Sequence, residues 1–226
     1  VTSCLIFDLD GTLVDSLPGI AASLNRALMG TGIGPHSHRA VRDFIGNGSR
    51  VLMQRAAGER ASEESVHELD RRFRADYDLT WPAGTIAYEG IADLLMELKQ
   101  RCIPLAVLSN KPHPFTVAIV ERIFPDVEFA AVIGQRSGIA HKPDPAGALE
   151  ILRELGASAA DSMLIGDSTM DLETARRAGM RAIACGWGYH DADRLLAAGA
   201  DYFASDVLEL QALLRSSTCR LSVQKS

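Results

Sequence analysis

The sequence predicts an α/β protein: a parallel sheet core with helices on both faces, interrupted after its first strand by an all-helical insert. Three observations predict it. From about residue 85 onward, apolar runs of strand length alternate with stretches at helical spacing, which is the pattern of a parallel sheet covered on both sides. Cys4, Leu5, Ile6 and Phe7 form an apolar run that ends in Asp8, as a doubly buried strand does. Between these, residues 16–84 carry helical spacing and turn signals but no strand pattern.

The elements follow in order. Strand 4–7 runs into Asp8-Leu9-Asp10-Gly11-Thr12, where Gly11 lets the chain turn away. Leu17, Ile20, Ala21, Leu24, Ala27 and Leu28 mark a helix that Asp15 or Ser16 caps and Gly30, Gly32 and Gly34-Pro35 end. A short helix covers 39–45, Gly46-Asn47-Gly48 breaks it, and another runs over 49–57. Ser62 opens a longer helix to about 78, with acids in its first turn and Val66, Leu69, Phe73 and Tyr77 on one face. Residues 81–84 read as a connector. Helices are then expected from 91 and over 115–123, 145–155, 171–178, 191–198 and 207–214. They alternate with strands over 104–108, 130–133, 163–165, 181–185 and 202–204, and the polar tail from Ser216 is expected to fray. The insert, 16–84, thus reads as a second domain, with 1–15 and 85–226 as the core and two short connectors as a hinge.

Bulk properties narrow the function. A chain of 226 residues with 47% hydrophobic residues can bury a large core. A net charge of −6 argues against a general nucleic-acid binder, which needs a basic face. No apolar run reaches membrane-spanning length, and no signal-peptide pattern precedes the first strand. Cys4, Cys102, Cys185 and Cys219 are widely spaced, three of them in apolar runs. They are expected to be reduced and mostly buried, which fits a cytoplasmic protein. The expected form is a monomer or homodimer.

The chemistry lies where strands end. The first strand ends at Asp8, the strand 104–108 at Ser109-Asn110-Lys111, and the strand 163–165 at Gly166-Asp167-Ser168, with Asp171 a turn later. Lys142 precedes a helix. Parallel strands share a carboxyl edge, so these residues are expected to converge on one rim. Asp8, Asp10 and Asp167 are hard oxygen donors suited to Mg²⁺, while Ser109, Asn110 and Lys142 suit phosphate oxygens. An aspartate beside a metal and a phosphate can act as a nucleophile, and a second acid two residues on can protonate a leaving oxygen and then activate water. Taken alone, Asp8 and Asp10 also describe a metal pair in a sugar-nucleotide transferase, or surface acids at a strand end. Lys142 alone reads as a solvated lysine, Asp171 as a first-turn helix acid, and Gly46-Asn47-Gly48 as a helix stop. His113, His141 and His190 share no ligand spacing.

Asp8-Leu9-Asp10-Gly11-Thr12, Ser109-Asn110, Lys142 and Gly166-Asp167-Ser168-Thr169-Met170-Asp171 together resemble, in order, the four motifs of the haloacid dehalogenase superfamily. The resemblance implies a Rossmann-like core, Asp8 as nucleophile and Asp10 as general acid/base. It implies Mg²⁺ held by Asp8, the Asp10 carbonyl and Asp167, phosphoryl binding by Ser109, Asn110 and Lys142, and support from Thr12 and Asp171. The insert resembles the family's helical cap. Asp10 sets the chain with the phosphatase branch. Asp15-Ser16, Ile45-Gly46-Asn47-Gly48, Ser109-Asn110-Lys111-Pro112 and Gly186-Trp187-Gly188-Tyr189 resemble phosphoglycolate phosphatases. The expected activity is Mg²⁺-dependent hydrolysis of a small phosphomonoester, phosphoglycolate first, through an aspartyl-phosphate. Gly46, Asn47, Gly48 and Arg50 are candidates for reading the leaving group. Pyrophosphate or sugar-phosphate hydrolysis and phosphoglucomutase-like transfer are the alternatives within the class. A phospho-accepting switch is the alternative outside it. Phosphonate cleavage fits less well, because the insert has no lysine to form a Schiff base.

Overall fold

The computed structural model describes residues 2–59 and 61–222. The chain divides into two compact units: one comprises the chain up to Val14 and from Ala87 onward, the other Asp15–Ile86.

The first unit is built on a six-stranded sheet. In chain order its strands are β1 (Cys4–Phe7), β4 (Leu105–Pro112), β5 (Ala131–Gln135), β6 (Ser162–Gly166), β7 (Arg181–Cys185) and β8 (Tyr202–Ala204). Two short strands, β2 (Val14–Asp15) and β3 (Ile86–Ala87), form a separate two-stranded sheet. The large sheet runs β5-β4-β1-β6-β7-β8, every pair parallel. β1 lies inside it, with Phe7 level with Val107 on one side and Ile165 on the other. All four β1 residues are buried, as their unbroken apolar run requires. Ile6, Ala106 and Leu164 pack into a core shared with α7 (Ala146–Leu155) and α8 (Thr169–Ala178). Leu5, Phe7, Val107, Met163 and Ile165 alternate with them along the strands and are equally buried, so both faces of the sheet are covered.

The element boundaries differ from the sequence reading in three instructive places. β4 continues past Leu108 to Pro112, with an irregular register between those two residues, because β5 supplies a partner for the extension at Gln135. The following helix, α6 (His113–Ile123), starts two residues earlier than its apolar spacing indicates, with a proline in its first turn. The last helix, α10 (Val207–Ser222), runs beyond the expected end at 214. Arg215 and Gln211 both bond Glu97 of α5 (Ile91–Gln100), which ties α10 to α5 just before the polar tail. Of the cysteines, Cys4 and Cys185 are buried, but Cys102 is exposed, in a turn at φ 54° after α5, where its apolar neighbours do not cover it. The Cys219 side chain lies outside the described residues.

The second unit is helical: α1 (Leu17–Leu28), α2 (His38–Phe44), α3 (Ser49–Ala57) and α4 (Glu63–Thr80), then a 3₁₀ turn at Trp81–Ala83. Leu24, Leu28, Val41, Met53, Val66, Leu69, Phe73 and Tyr77 make its core. The Ser37 and Ser62 hydroxyls cap α2 and α4. At the start of α1, the Asp15 carboxylate accepts the Leu17 N–H, while Ser16 makes no capping bond. Among the described residues no helix is long and apolar enough to cross a membrane.

Candidate active site

The carboxyl ends of β1, β4 and β6 carry the polar residues of the core unit. Asp8 follows β1 directly, its N–H donating to the Ile165 carbonyl as though the strand continued. The next turn is tightly folded. Leu9 O accepts from Leu13 N and Val14 N at 3.0 Å, Gly11 N donates to Val14 O, and Gly11 adopts φ +87°. Main-chain bonds by themselves therefore fix the backbone of Asp8 and Asp10.

Lys142 is the centre of the charge arrangement. Its ammonium donates to Asp171 Oδ1 at 2.6 Å, Asp8 Oδ1 at 2.8 Å and the Leu108 carbonyl at 3.0 Å. An ammonium has three protons, so these three acceptors use its full donor capacity. Asn110 holds the same residue by its main chain: Lys142 N donates to Asn110 Oδ1 at 2.7 Å, and Asn110 Nδ2 donates to Lys142 O at 3.1 Å. The sequence reading places Asn110 with the phosphoryl ligands. Here its amide grips the backbone of Lys142. Ser109 is buried, and its hydroxyl accepts from Lys111 N.

Asp171 serves two partners. Its Oδ1 meets Lys142, and its Oδ2 accepts from Ser168 N at 3.0 Å and Ser168 Oγ at 2.6 Å, closing a capping box on α8. Asp167 sits in a cradle. Thr12 Oγ1 donates to its Oδ1 at 3.0 Å, and Tyr189 N donates to its Oδ2 at 2.6 Å. A Cβ on Gly188 would lie 2.5 Å from Asp167 Cγ, so only glycine lets this loop close on the carboxylate. The Trp187 indole N–H holds the Thr12 carbonyl at 3.1 Å. The stretch Gly186-Trp187-Gly188-Tyr189, a family signature in the sequence, thus positions Asp167. His190 Nδ1 accepts the Thr169 N–H and His113 Nδ1 the Gly134 N–H, so both imidazoles have local structural partners.

The electrostatics call for positive charge. Burial pushes the Asp8 carboxyl up to about 7, with Lys142 pulling down and Asp171 pushing up. Burial, and then Asp8 and Asp171, push Asp167 well above the usual carboxylate range. Burial works against the Lys142 charge, but Asp171 and Asp8 hold it above the ordinary lysine value. Asp8, Asp167 and Asp171 bring carboxylate oxygens within 4.8 Å of one another. Asp171 has a structural task besides: it pairs with Lys142 and closes the capping box on α8. Hard oxygen donors in a buried group with excess negative charge suit a divalent cation such as Mg²⁺. Asp10 stands beside them, its carboxylate paired with Lys111 Nζ at 3.1 Å to each oxygen.

Lys111 is the residue the sequence reading did not assign to the site. Its signal was present, three residues past the end of an apolar strand run, but a lysine there usually reaches solvent. Gly188 and Tyr189 were legible as a motif, without a role. The specificity candidates Gly46, Asn47, Gly48 and Arg50 belong to the helical unit. Gly48 precedes α3 at φ 84°, Arg50 pairs with Glu63, and Asn47 Oδ1 accepts from Arg55, whose guanidinium also holds the Phe44 carbonyl at 2.8 Å.

Comparison with known proteins gives the family. The profile of the haloacid dehalogenase-like hydrolases matches residues 5–185. A phosphoglycolate phosphatase of Pectobacterium atrosepticum is 34% identical over 189 residues, covering 82% of this chain and 81% of the relative. One from Shigella boydii is 33% identical over 204 residues, covering 81% of each. The crystal structure of a predicted phosphoglycolate phosphatase from Haemophilus somnus superposes with a TM-score of 0.87 at 29% identity, over 94% of this chain and 97% of that one. The chain therefore belongs to the haloacid dehalogenase-like hydrolase family, among its phosphatases.

Proposed function

We propose that this protein is a Mg²⁺-dependent phosphomonoesterase that acts through an aspartyl-phosphate, with phosphoglycolate as its first candidate substrate. The observation that carries this reading is the pairing of Asp8 with Lys142 at 2.8 Å beside Asp167, all buried at the carboxyl edge of the sheet. Relatives named phosphoglycolate phosphatase, at 30–34% identity, support the choice of substrate.

In this reading an Asp8 oxygen attacks phosphorus while Ser109 and Lys142, which gives up its bond to the Leu108 carbonyl, hold the phosphoryl oxygens. The bond from phosphorus to the ester oxygen breaks, and Asp10 gives that oxygen a proton. Water then attacks the phosphorus of the aspartyl-phosphate, Asp10 takes the water proton, and Asp8 is released with inorganic phosphate. Asp8, the Asp10 carbonyl and Asp167 would hold Mg²⁺, which supplies positive charge against the repulsion between carboxylate and phosphate. Asn110 keeps the Lys142 backbone in place, and Asp171 keeps its ammonium aimed. The helical unit corresponds to the family's cap, with Gly46, Asn47, Gly48 and Arg50 as its specificity candidates.

The test is phosphate release with Mg²⁺ from a panel of phosphoglycolate, pyrophosphate and sugar phosphates. A dominant rate on phosphoglycolate is expected. A dominant rate on another member would move the substrate assignment while keeping the chemistry, and no release from any member by the folded protein would overturn both.

A further inference from the structure

We propose that Lys111 is a positioning residue that sets the carboxylate of Asp10 for proton transfer to the leaving oxygen. This rests on the phosphatase reading above and extends it to a residue that reading leaves unused.

The argument begins with how firmly Lys111 is held. It lies on the irregular segment of β4 between Leu108 and Pro112. Its N–H donates to Ser109 Oγ at 3.2 Å, and its carbonyl accepts from Thr116 Oγ1 at 3.2 Å. Gly134 of β5 passes so close that a Cβ there would lie 2.7 Å from the Lys111 carbonyl and 2.6 Å from His113 Cα. The backbone is thus confined by its own strand, by α6 and by the neighbouring strand. From it the side chain runs to Asp10 while remaining 7% exposed.

The contact itself is symmetrical. Nζ lies 3.1 Å from both Asp10 oxygens, so the ammonium faces the two oxygens evenly and fixes how far and in which direction the carboxylate extends. The Asp10 backbone is already fixed by the turn and by its bridge to Val14, so contacts at the carboxylate set its orientation. Lys111 supplies a charged one. Among the described residues the two buried lysines therefore divide the work: Lys142 serves Asp8 and Asp171, and Lys111 serves Asp10. Proton transfer depends on placement to within an ångström, so releasing the carboxylate should slow that step on the order of 100-fold.

The test separates proton donation from phosphoryl binding by varying the leaving group. kcat/KM reports steps up to release of the first product, and an aryl phosphate such as p-nitrophenyl phosphate needs little protonation there, whereas an alkyl phosphate needs it fully. Lys111→Met is expected to lower kcat/KM roughly 100-fold on an alkyl phosphate and far less on p-nitrophenyl phosphate. Lys111→Arg, which keeps a cation able to reach both oxygens, recovers a measurable part of the alkyl rate and guards against a Met variant that does not fold. In an Asp10→Asn background, Lys111→Met adds no further leaving-group selectivity. Equal losses on both esters would mean that Lys111 binds the phosphoryl group, and no loss on either would make it structural only; both overturn the proposal. A wild-type protein inactive on both esters would instead overturn the phosphatase reading, and this inference with it.

Discussion

Replacing Lys142 with methionine keeps the length and volume of the side chain and deletes its charge. The residue is 4% exposed, and its ammonium satisfies Asp171, Asp8 and the Leu108 carbonyl at 2.6, 2.8 and 3.0 Å. Breaking a buried pair by removing one partner costs about 3–5 kcal/mol, because the other charge is left uncompensated. In a chain of this size each kcal/mol lowers Tm by about 2–4 °C, so a fall of roughly 6–20 °C is expected. The charge origin of that loss has its own signature. Asp8 already titrates at about 7 in the intact protein, held there against burial partly by Lys142. Without the lysine its folded-state pKa rises further above the unfolded value. The folded variant then keeps a proton at pH values where the wild type has released it. Below about pH 7 both proteins carry that proton, and the deficit is smallest. Above it the deficit grows by about 1.4 kcal/mol per pH unit until the variant also deprotonates. The assay is denaturant unfolding of both proteins, followed by circular dichroism in metal-free buffer at pH 6 and pH 8.5. A deficit of equal size at the two pH values would refute the electrostatic account and leave only a packing defect.

Other outcomes follow from the same geometry. Asp8→Asn should abolish phosphate release with the unfolding transition retained, because the amide is nearly isosteric; near-native turnover would exclude a covalent route through Asp8. Asp10→Asn should likewise lose turnover, whereas a slow phospho-accepting switch would lose far less. Chelator should stop activity and added Mg²⁺ restore it. The same metal should raise Tm more at pH 8.5 than at pH 5.5, where Asp8 carries a proton that competes with the cation, and an equal rise would count against Asp8 as a ligand. Gly188→Ala should weaken Mg²⁺ binding by calorimetry by 10-fold or more, as about expected for displacing a ligand's support, since the added methyl overlaps the Asp167 side chain. Leu164→Ala, at a fully buried position in the central core, should cost about 2–5 kcal/mol in unfolding and leave KM unchanged if the fold is retained.

The sequence by itself determined the architecture, because hydrophobic periodicity is local. The unbroken run Cys4–Phe7 specified a doubly buried strand, and the change of period after it separated a helical stretch from the alternating core. It also put Asp8, Ser109 and Asp167 at strand ends, which share an edge whatever the intervening chain does, and Lys142 ahead of a helix. What only the tertiary structure decided is which of them touch. No local pattern directs the Asn110 amide to the Lys142 backbone, thirty-two residues away, or closes the Gly188 loop on Asp167. Nor does it turn the strand-end Lys111 inward onto Asp10. Those contacts depend on sheet order and on an irregular strand edge. Both arise from packing between segments far apart in the chain, and spacing along the sequence carries no record of them.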